Sequence, residues 1–510
     1  MQRTTFYLNS SMTAGASNIT VTTSDGTSNS IPFYCRTLGS NHIYFISPTG
    51  SDSNNGLYST NTGGSNGPWL SANKARNGVM AGDAVYFKAG IWTTVDNWGA
   101  TIDFWNNNHA NGTANNSITV AAYPGEIAQL GNSTSVAGQI YTFGHHGSAG
   151  DALNYWTFSK LVMRANLNVV GWASNNAPIS DDHLRFIGND MQTTAGTGKT
   201  VVSFDGGTGG ETNLYFYGNY IHDAGVNTRG EIAAQRGYSL YFGGYGSHNY
   251  IYVGWNEMCY NTNGRGMQVF GHTVTDTIDN IYIHDNYIHD NSMTGIVFSG
   301  GDGGTGAGGA PSGVAYEFVK NLWFYNNIVA DNGASNYPAI FIDGGQTWGG
   351  MGGNFHIYNN TLYQNIGEEI GIFYTTTGPT SVVIKNNILY NSTQYYSISG
   401  GVENCTRCTA SNNIYYGNAL TKPTWDSTST TGNPLFIVPA PSSFLDFKLQ
   451  SLSLAIDAGI NLIATVTKDF LGVSRPQGST FDIGAFEYDT GAPPTSDATP
   501  PSAPTGLVVN

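Results

Sequence analysis

The chain has 510 residues, only 10% of them charged, and a formal net charge of −15 with 19 Lys plus Arg. That balance argues against nucleic acid and against insertion into or binding to anionic membranes, since both partners select basic surfaces. The 67 Gly beside 31 Tyr, 24 Phe and 10 Trp exclude a disordered or helical chain and point to an all-β protein with many turns. An uncharged glycan would be tolerated, whereas a polyanionic one needs a local basic site or a bridging cation.

The N-terminal stretch MQRTTFYLNSSMTAG has no apolar signal-peptide core, and no hydrophobic run approaches the roughly 18–20 residues of a membrane span. Either the protein is cytoplasmic or a preceding segment has been cut away. From residue 183 onward one segment returns: HLRFIGNDM, NLYFYGNYIHDAG, NYIYVGWNEMCYN, DNIYIHDNYIHDN, NLWFYNNIVADNG, NFHIYNNTLYQN, SVVIKNNILYNS and TASNNIYYGN. Each carries one Asn at a fixed place: Asn189, Asn219, Asn256, Asn286, Asn327, Asn360, Asn387 and Asn413, at intervals of 30, 37, 30, 41, 33, 27 and 26. A period of about 30 that tolerates insertions marks a solenoid.

The segments alternate with period two and are rich in Ile, Tyr, Phe and Val, so each repeat contributes strands. A second strand follows in most, as in YSLYFGG (238–244), GMQVFGH (266–272), GIVFSGG (295–301), AIFIDGG (339–345) and GIFYTTT (371–377). Two or three short strands per turn predict an all-β right-handed parallel β-helix, with coils about 4.8 Å apart. The recurring Asn would stack into a ladder, with Ile, Leu and Phe inside and Tyr, His and Asp outside. A propeller blade needs longer repeats of four strands.

The stretches IYFISPTGSDSNNG (43–56) and GDAVYFKAGIW (82–92) open this region, and NPLF (433–436), LSLAIDAG (452–459) and FLGVSRPQGSTFDIGAFEY (470–488) close it. On these segments the chain resembles the right-handed parallel β-helix proteins of the pectate-lyase-like superfamily, and within it a secreted bacterial subset. NITVTTSDGTSNSIPFYC (18–35) resembles the last strands of a TIG domain, and ATPPSAPTGLVVN (498–510) the opening of a fibronectin type III domain. The resemblances imply an N-terminal stub over 1–42, a β-helix over 43–488, and a linker with the start of a further domain over 489–510. They also imply a monomeric module of a larger protein that is secreted or displayed at the cell surface.

Chemistry is expected along an outer sheet, where successive coils form a groove walled by long loops. Two coils are oversized: one carries VNTRGEIAAQRG (226–237), with Arg229, Glu231 and Arg236, and one the Gly-rich GGDGGTGAGGAPSG (300–313). The second is a poor phosphate loop, as no GK[ST] follows it. Strand parity turns Ile340 and Ile342 inward and Asp343 outward, and the coil count brings Asp302 near it. The Asp302–Asp343 pair reads as turn chemistry, as a calcium site, or as a catalytic carboxylate pair.

Glu231, Arg236 and Arg265 are the further catalytic candidates, because a lyase needs a base and a positive group for a uronate carboxylate. Arg229, Tyr241, Gln268, His272 and Trp348 are candidate substrate contacts. Trp323, Tyr374, Tyr395 and Tyr396 are aromatics able to stack on sugar rings, or ladder or core residues, and His222, His284 and His289 read as surface ladder positions of the repeat rather than catalytic ones. Cys405 and Cys408 form a local disulfide or two thiols; with no second pair they are a weak zinc signal.

The carboxylate motifs of polygalacturonases are absent, with Asp181, Asp182 and His183 a partial echo, and so is the DPHD motif of mannuronan epimerases. The expected function is an extracellular enzyme that cleaves a polysaccharide, as a lyase or a glycoside hydrolase. The alternative is a non-catalytic glycan-binding or adhesin module.

Overall fold

The computed structural model describes residues 42–489 with internal gaps, the longest at 132–140, 225–236 and 301–314, and before residue 36 four short strands. Of those, Gly15–Ile19 pairs antiparallel with Ile31–Cys35, and Thr22–Thr23 with Gly26–Thr27. Residues Ile43–Tyr488 form one compact unit.

The chain of this unit winds through three long sheets. The first holds twelve strands, from Gly90–Trp92 to Thr430–Thr431, the second ten, from Ala100–Phe104 to Gln394–Ile398, and the third twelve, from Ile43–Ile46 to Cys408–Ser411. One turn visits the third, first and second sheets in that order, as in Ile278–His284, Tyr287–His289 and Ile296–Gly300. Neighbouring strands are equivalent segments of successive coils and pair in parallel. This is the parallel β-helix that the repeats predict.

The segment DNYIHDN encodes one corner, one strand and a second corner. Asp285 and Asp290 take the left-handed backbone region, with φ of 55° and 51°. Asp and Asn tolerate it because their short polar side chains bond locally. Between the corners the strand Tyr287–His289 is three residues long, and only Ile288 points to the interior.

At the first of these corners an Asn follows the left-handed residue in each coil from Gly188 to Asn412, and these Asn form the ladder. Asn286 Nδ2 donates to Asn327 Oδ1 at 2.9 Å and to the Val253 carbonyl, while its Oδ1 accepts from the backbone N–H and Nδ2 of Asn256. The pattern runs unbroken from Asn189 to Asn413, whose Nδ2 donates to Asp426 Oδ2. Interior backbone and amide groups at this corner thus find partners, which an apolar interior otherwise denies them.

A second ladder stands at the other corner: Asn261, Asn291, Asn332 and Asn365 bond in the same manner. The buried carboxyl of Glu369 then accepts from Asn365 and Asn391. Inside, side chains stack coil on coil, as Phe158, Phe186 and Phe216 do at centroid distances of 5.1 and 4.9 Å.

After Thr431 the chain turns back along the outside of the first sheet. Phe436, Phe447, Phe470, Ile483 and Phe486 pack on Ile328, Tyr363, Ile388 and Ile414. Arg475 anchors this strap through Glu487 Oε1 at 2.6 Å, Asn326 Oδ1 and the Gly484 carbonyl, with Arg475 and Glu487 fully buried. Cys405 and Cys408 form a disulfide. Among the described residues no helix is long and apolar enough to cross a membrane.

Candidate functional site

The outer face of the second sheet gathers several of the residues singled out from the sequence. In a regular strand, positions i and i+2 share a face. Gly237–Gly244 and Gly264–Gly271 both break this rule, because Ser239 and Leu240, and likewise Gly266 and Met267, are consecutive buried residues. Ser239 bonds the Ile221 carbonyl and receives Asn261 Nδ2, so it faces inward. A Cβ on Gly266 would lie 2.5 Å from Ile288, so only glycine fits there. The kink returns Tyr238 and Arg265 to the outer face, beside Tyr241 and Gln268 three residues on.

Arg265 is the one Arg or Lys in the ten strands of this sheet. Its guanidinium lies 5.6 Å from the centroid of Tyr238, and its Nη1 donates to Gln268 Oε1 at 2.6 Å. Gln268 Nε2 in turn donates to Ser299 Oγ at 3.2 Å, one coil further along. Ser299 stands opposite Asp343 in the register, and Tyr241 stands opposite Gln268. Tyr241, Gln268, Ser299 and Asp343 thus form a diagonal across four coils, with Ser299 two residues beyond the position opposite Gln268 and joined to it by the side-chain bond, and with Arg265 three residues before Gln268. Arg265 Nε is buried and has no hydrogen-bond partner among the described residues. The side chain is oriented by its Nη1 bond and by the aromatic ring beneath it, which suits a fixed positive group better than a mobile surface arginine.

Asp343 is half-buried at the strand end, with Ile340 and Ile342 turned inward as the alternation predicts. Calcium takes six to eight oxygens. Beside Asp343 the register places Ser299 on one coil and Phe373 on the other. Asp302, Glu231, Arg236, Arg229, His272 and Trp348 lie outside the described residues.

Of the aromatics, three take the ladder or core reading. Tyr395 and Tyr396 are buried in the core, with Tyr396 OH bonded to Tyr415 OH, and cannot meet a sugar. Trp323 is sandwiched between Tyr282 at 4.7 Å and His356 at 5.4 Å, in a stack on the third sheet that includes Tyr215 and Tyr252. Both of its ring faces are occupied. Tyr374 has the Arg407 guanidinium 5.0 Å from its ring centroid.

His222, His284 and His289 are also not surface residues. All three are buried, and each Nδ1 lies 2.6–2.8 Å from the carboxylate of the next residue, Asp223, Asp285 or Asp290. His222 and His289, with Arg164, Asp190, Glu257 and Cys259, line the lower part of the first sheet, which sequence reasoning passed over, whereas His284 ends a strand of the third sheet. The signal was the repeated His-Asp at the strand end, read there as part of the repeat alone.

No family model matches the chain, and no curated protein matches it. Solved structures do. The pectate lyase Pel9A superposes with a TM-score of 0.54 at 16% identity, covering 89% of this chain and 98% of that one. A rhamnogalacturonan lyase gives a TM-score of 0.46 at 14% identity over 85% and 99%, and XylC in complex with xylose 0.43 at 10% over 88% and 99%. The chain thus shares the parallel β-helix fold of a pectate lyase.

Proposed function

We propose that this protein is an extracellular polysaccharide lyase that acts on an acidic glycan along the outer face of the second sheet. The observation that carries the reading is the oriented Arg265, the sole cation in that sheet of an otherwise acidic protein. In β-elimination a base removes the proton α to the uronate carboxylate. Its electrons form a C4–C5 double bond, and the glycosidic oxygen leaves C4 and takes up a proton. Negative charge builds on the carboxylate, where a fixed guanidinium stabilises it. The described titratable side chains on this diagonal are Tyr241, one coil from Gln268 and in register with it, and Asp343, two coils away on the other side and two residues further along its strand. We assign proton abstraction to one of this pair. The fold shared with a pectate lyase supports the reading, and the disulfide supports an oxidising compartment.

The test is a panel of uronate-containing and neutral polysaccharides, followed by ultraviolet absorbance of the unsaturated product and by reducing ends. Both signals should rise together on an acidic substrate. Arg265→Ala should lower kcat/KM on the order of 100-fold with unchanged thermal stability. Tyr241→Phe against Asp343→Asn identifies the base. Reducing ends without absorbance would establish a hydrolase instead, and binding with neither signal a glycan-binding module.

A further inference from the structure

We propose that Glu257, Cys259 and His289, on the outer side of the first sheet, form a binding site for a thiophilic divalent cation of the zinc class. One ligand atom from each, a carboxylate oxygen, the thiol sulfur and an imidazole nitrogen, lies within 4.8 Å of the other two. Glu257 and Cys259 are alternate residues of one three-residue strand, and Cys259 faces His289 in the register of the next coil. His289 Nε2 lies 3.3 Å from Glu257 Oε1, and its Nδ1 is held by Asp290 Oδ2 at 2.8 Å. A carboxylate on the far nitrogen is the arrangement that orients histidine ligands and raises their basicity. The ring is further fixed by Tyr287, stacked at 3.8 Å, and by the edge of Tyr260 at 5.4 Å. Cys259 and His289 are buried and Glu257 is partly exposed, so solvent reaches the cluster from the carboxylate side. Sulfur, nitrogen and oxygen together select zinc-like ions over magnesium or calcium, and three protein ligands leave a fourth position for water.

The neighbouring coil supplies the contrast. His222 has the same Asp on Nδ1, but its Nε2 meets Asp190, which Arg164 already neutralises at 2.8 Å. At the Glu257 cluster no Arg or Lys among the described residues forms an ion pair, and the carboxylate pairs with His289, itself one of the three ligands. Burial raises the Cys259 thiol above its ordinary value, so it is not a nucleophile by itself. Binding would release one proton as one sulfur–metal bond forms.

The full chain, with Cys35→Ser so that Cys259 is the sole free thiol, is stripped with chelator and titrated with Co²⁺. The expected result is a thiolate-to-cobalt charge-transfer band that saturates at one equivalent and is displaced by Zn²⁺. Cys259→Ala should abolish the band, and Asp290→Asn should weaken Co²⁺ binding by about 10–100-fold while the band persists. Zn²⁺ should raise the melting temperature of the Cys35→Ser protein and not of its Cys259→Ala derivative, with circular dichroism reporting that the latter is folded. No band, or a band unchanged by Cys259→Ala, overturns the proposal.

Discussion

The lower and upper coils share one interior and differ in what lies over them. In the upper coils the left-handed residue before each ladder Asn is itself Asn: Asn326, Asn359, Asn386 and Asn412. Their amides donate to carbonyls of the C-terminal strap, those of Lys468, Asp482, Ile460 and Ala458. In the lower coils that position is Gly188, Gly218, Trp255 or Asp285. The outward positions of the first sheet follow suit. Ile328, Ile388 and Ile414 lie under the strap, whereas Asp190, Tyr220 and Glu257 occupy the same row below it. The inward residue and the ladder Asn obey the coil, and the outward residue obeys its cover.

The sharpest way to break this contrast is Arg475→Met. It leaves Glu487 as a buried charge without its partner and should cost about 3–5 kcal/mol. In a solenoid, stability is nearly a sum over neighbouring coils. Hydrogen exchange should therefore quicken in the strap and the coils it covers, with coils below Asn286 unchanged; equal loss in both halves would refute the division.

Asn286→Ala should be next, at about 2–4 kcal/mol, because two donors of Asn256 lose their acceptor inside the protein. Denaturant unfolding measures it.

The two halves should also respond oppositely to pH. Burial raises Glu369 to about 8, against hydrogen bonds from Asn391 and Asn365. A raised folded value makes its contribution complete below about 4.5 and progressively lost as pH climbs to 8. Between pH 5 and 7 this amounts to about 2 kcal/mol, which Glu369→Gln should remove from the thermal-unfolding profile. Asp190 is the reverse: burial acts to raise it, but hydrogen bonds from His222 and Arg164 hold it at about 2. Its contribution is present above the ordinary aspartate value and lost as pH falls toward 2. Exchange in the lower coils should therefore quicken on acidification, and more weakly, because that carboxylate is over a third exposed.

The smallest effect belongs to Asn412→Gly, at about 1 kcal/mol. Glycine keeps the left-handed corner, as Gly218 does below, and only the bond to the Ala458 carbonyl is lost.

Much of this was legible in the sequence. The Asn spacing announced the solenoid and its first ladder, since a residue that must meet its equivalent in the next coil cannot drift. The second ladder, five residues on at Asn261 and Asn291, was equally visible in DNYIHDN but needed the three-residue strand to make sense of the offset. Arg265, Gln268 and Tyr241 were rightly placed in neighbouring strands. Their contact was not readable, because the kink at Ser239 and Gly266 breaks the period of two by which outward faces are inferred. Trp323 and His289 misled for one reason: alternation tells which side a residue leaves the sheet, not what then covers it.

The ladder has a polarity. Every ladder amide oxygen faces the preceding coil and one N–H of each amide the following one, so the carbonyl dipoles add along the axis, as peptide dipoles do in a helix. The positive pole emerges at the C-terminal coil, and there the chain places a carboxylate. Asp426, fully buried, receives Asn413 Nδ2, Tyr415 OH and Ser429 Oγ at 2.6–3.0 Å. Stacked asparagines thus act as an electrostatic rod, and its anionic terminal at Asp426 marks where the winding of coils stops.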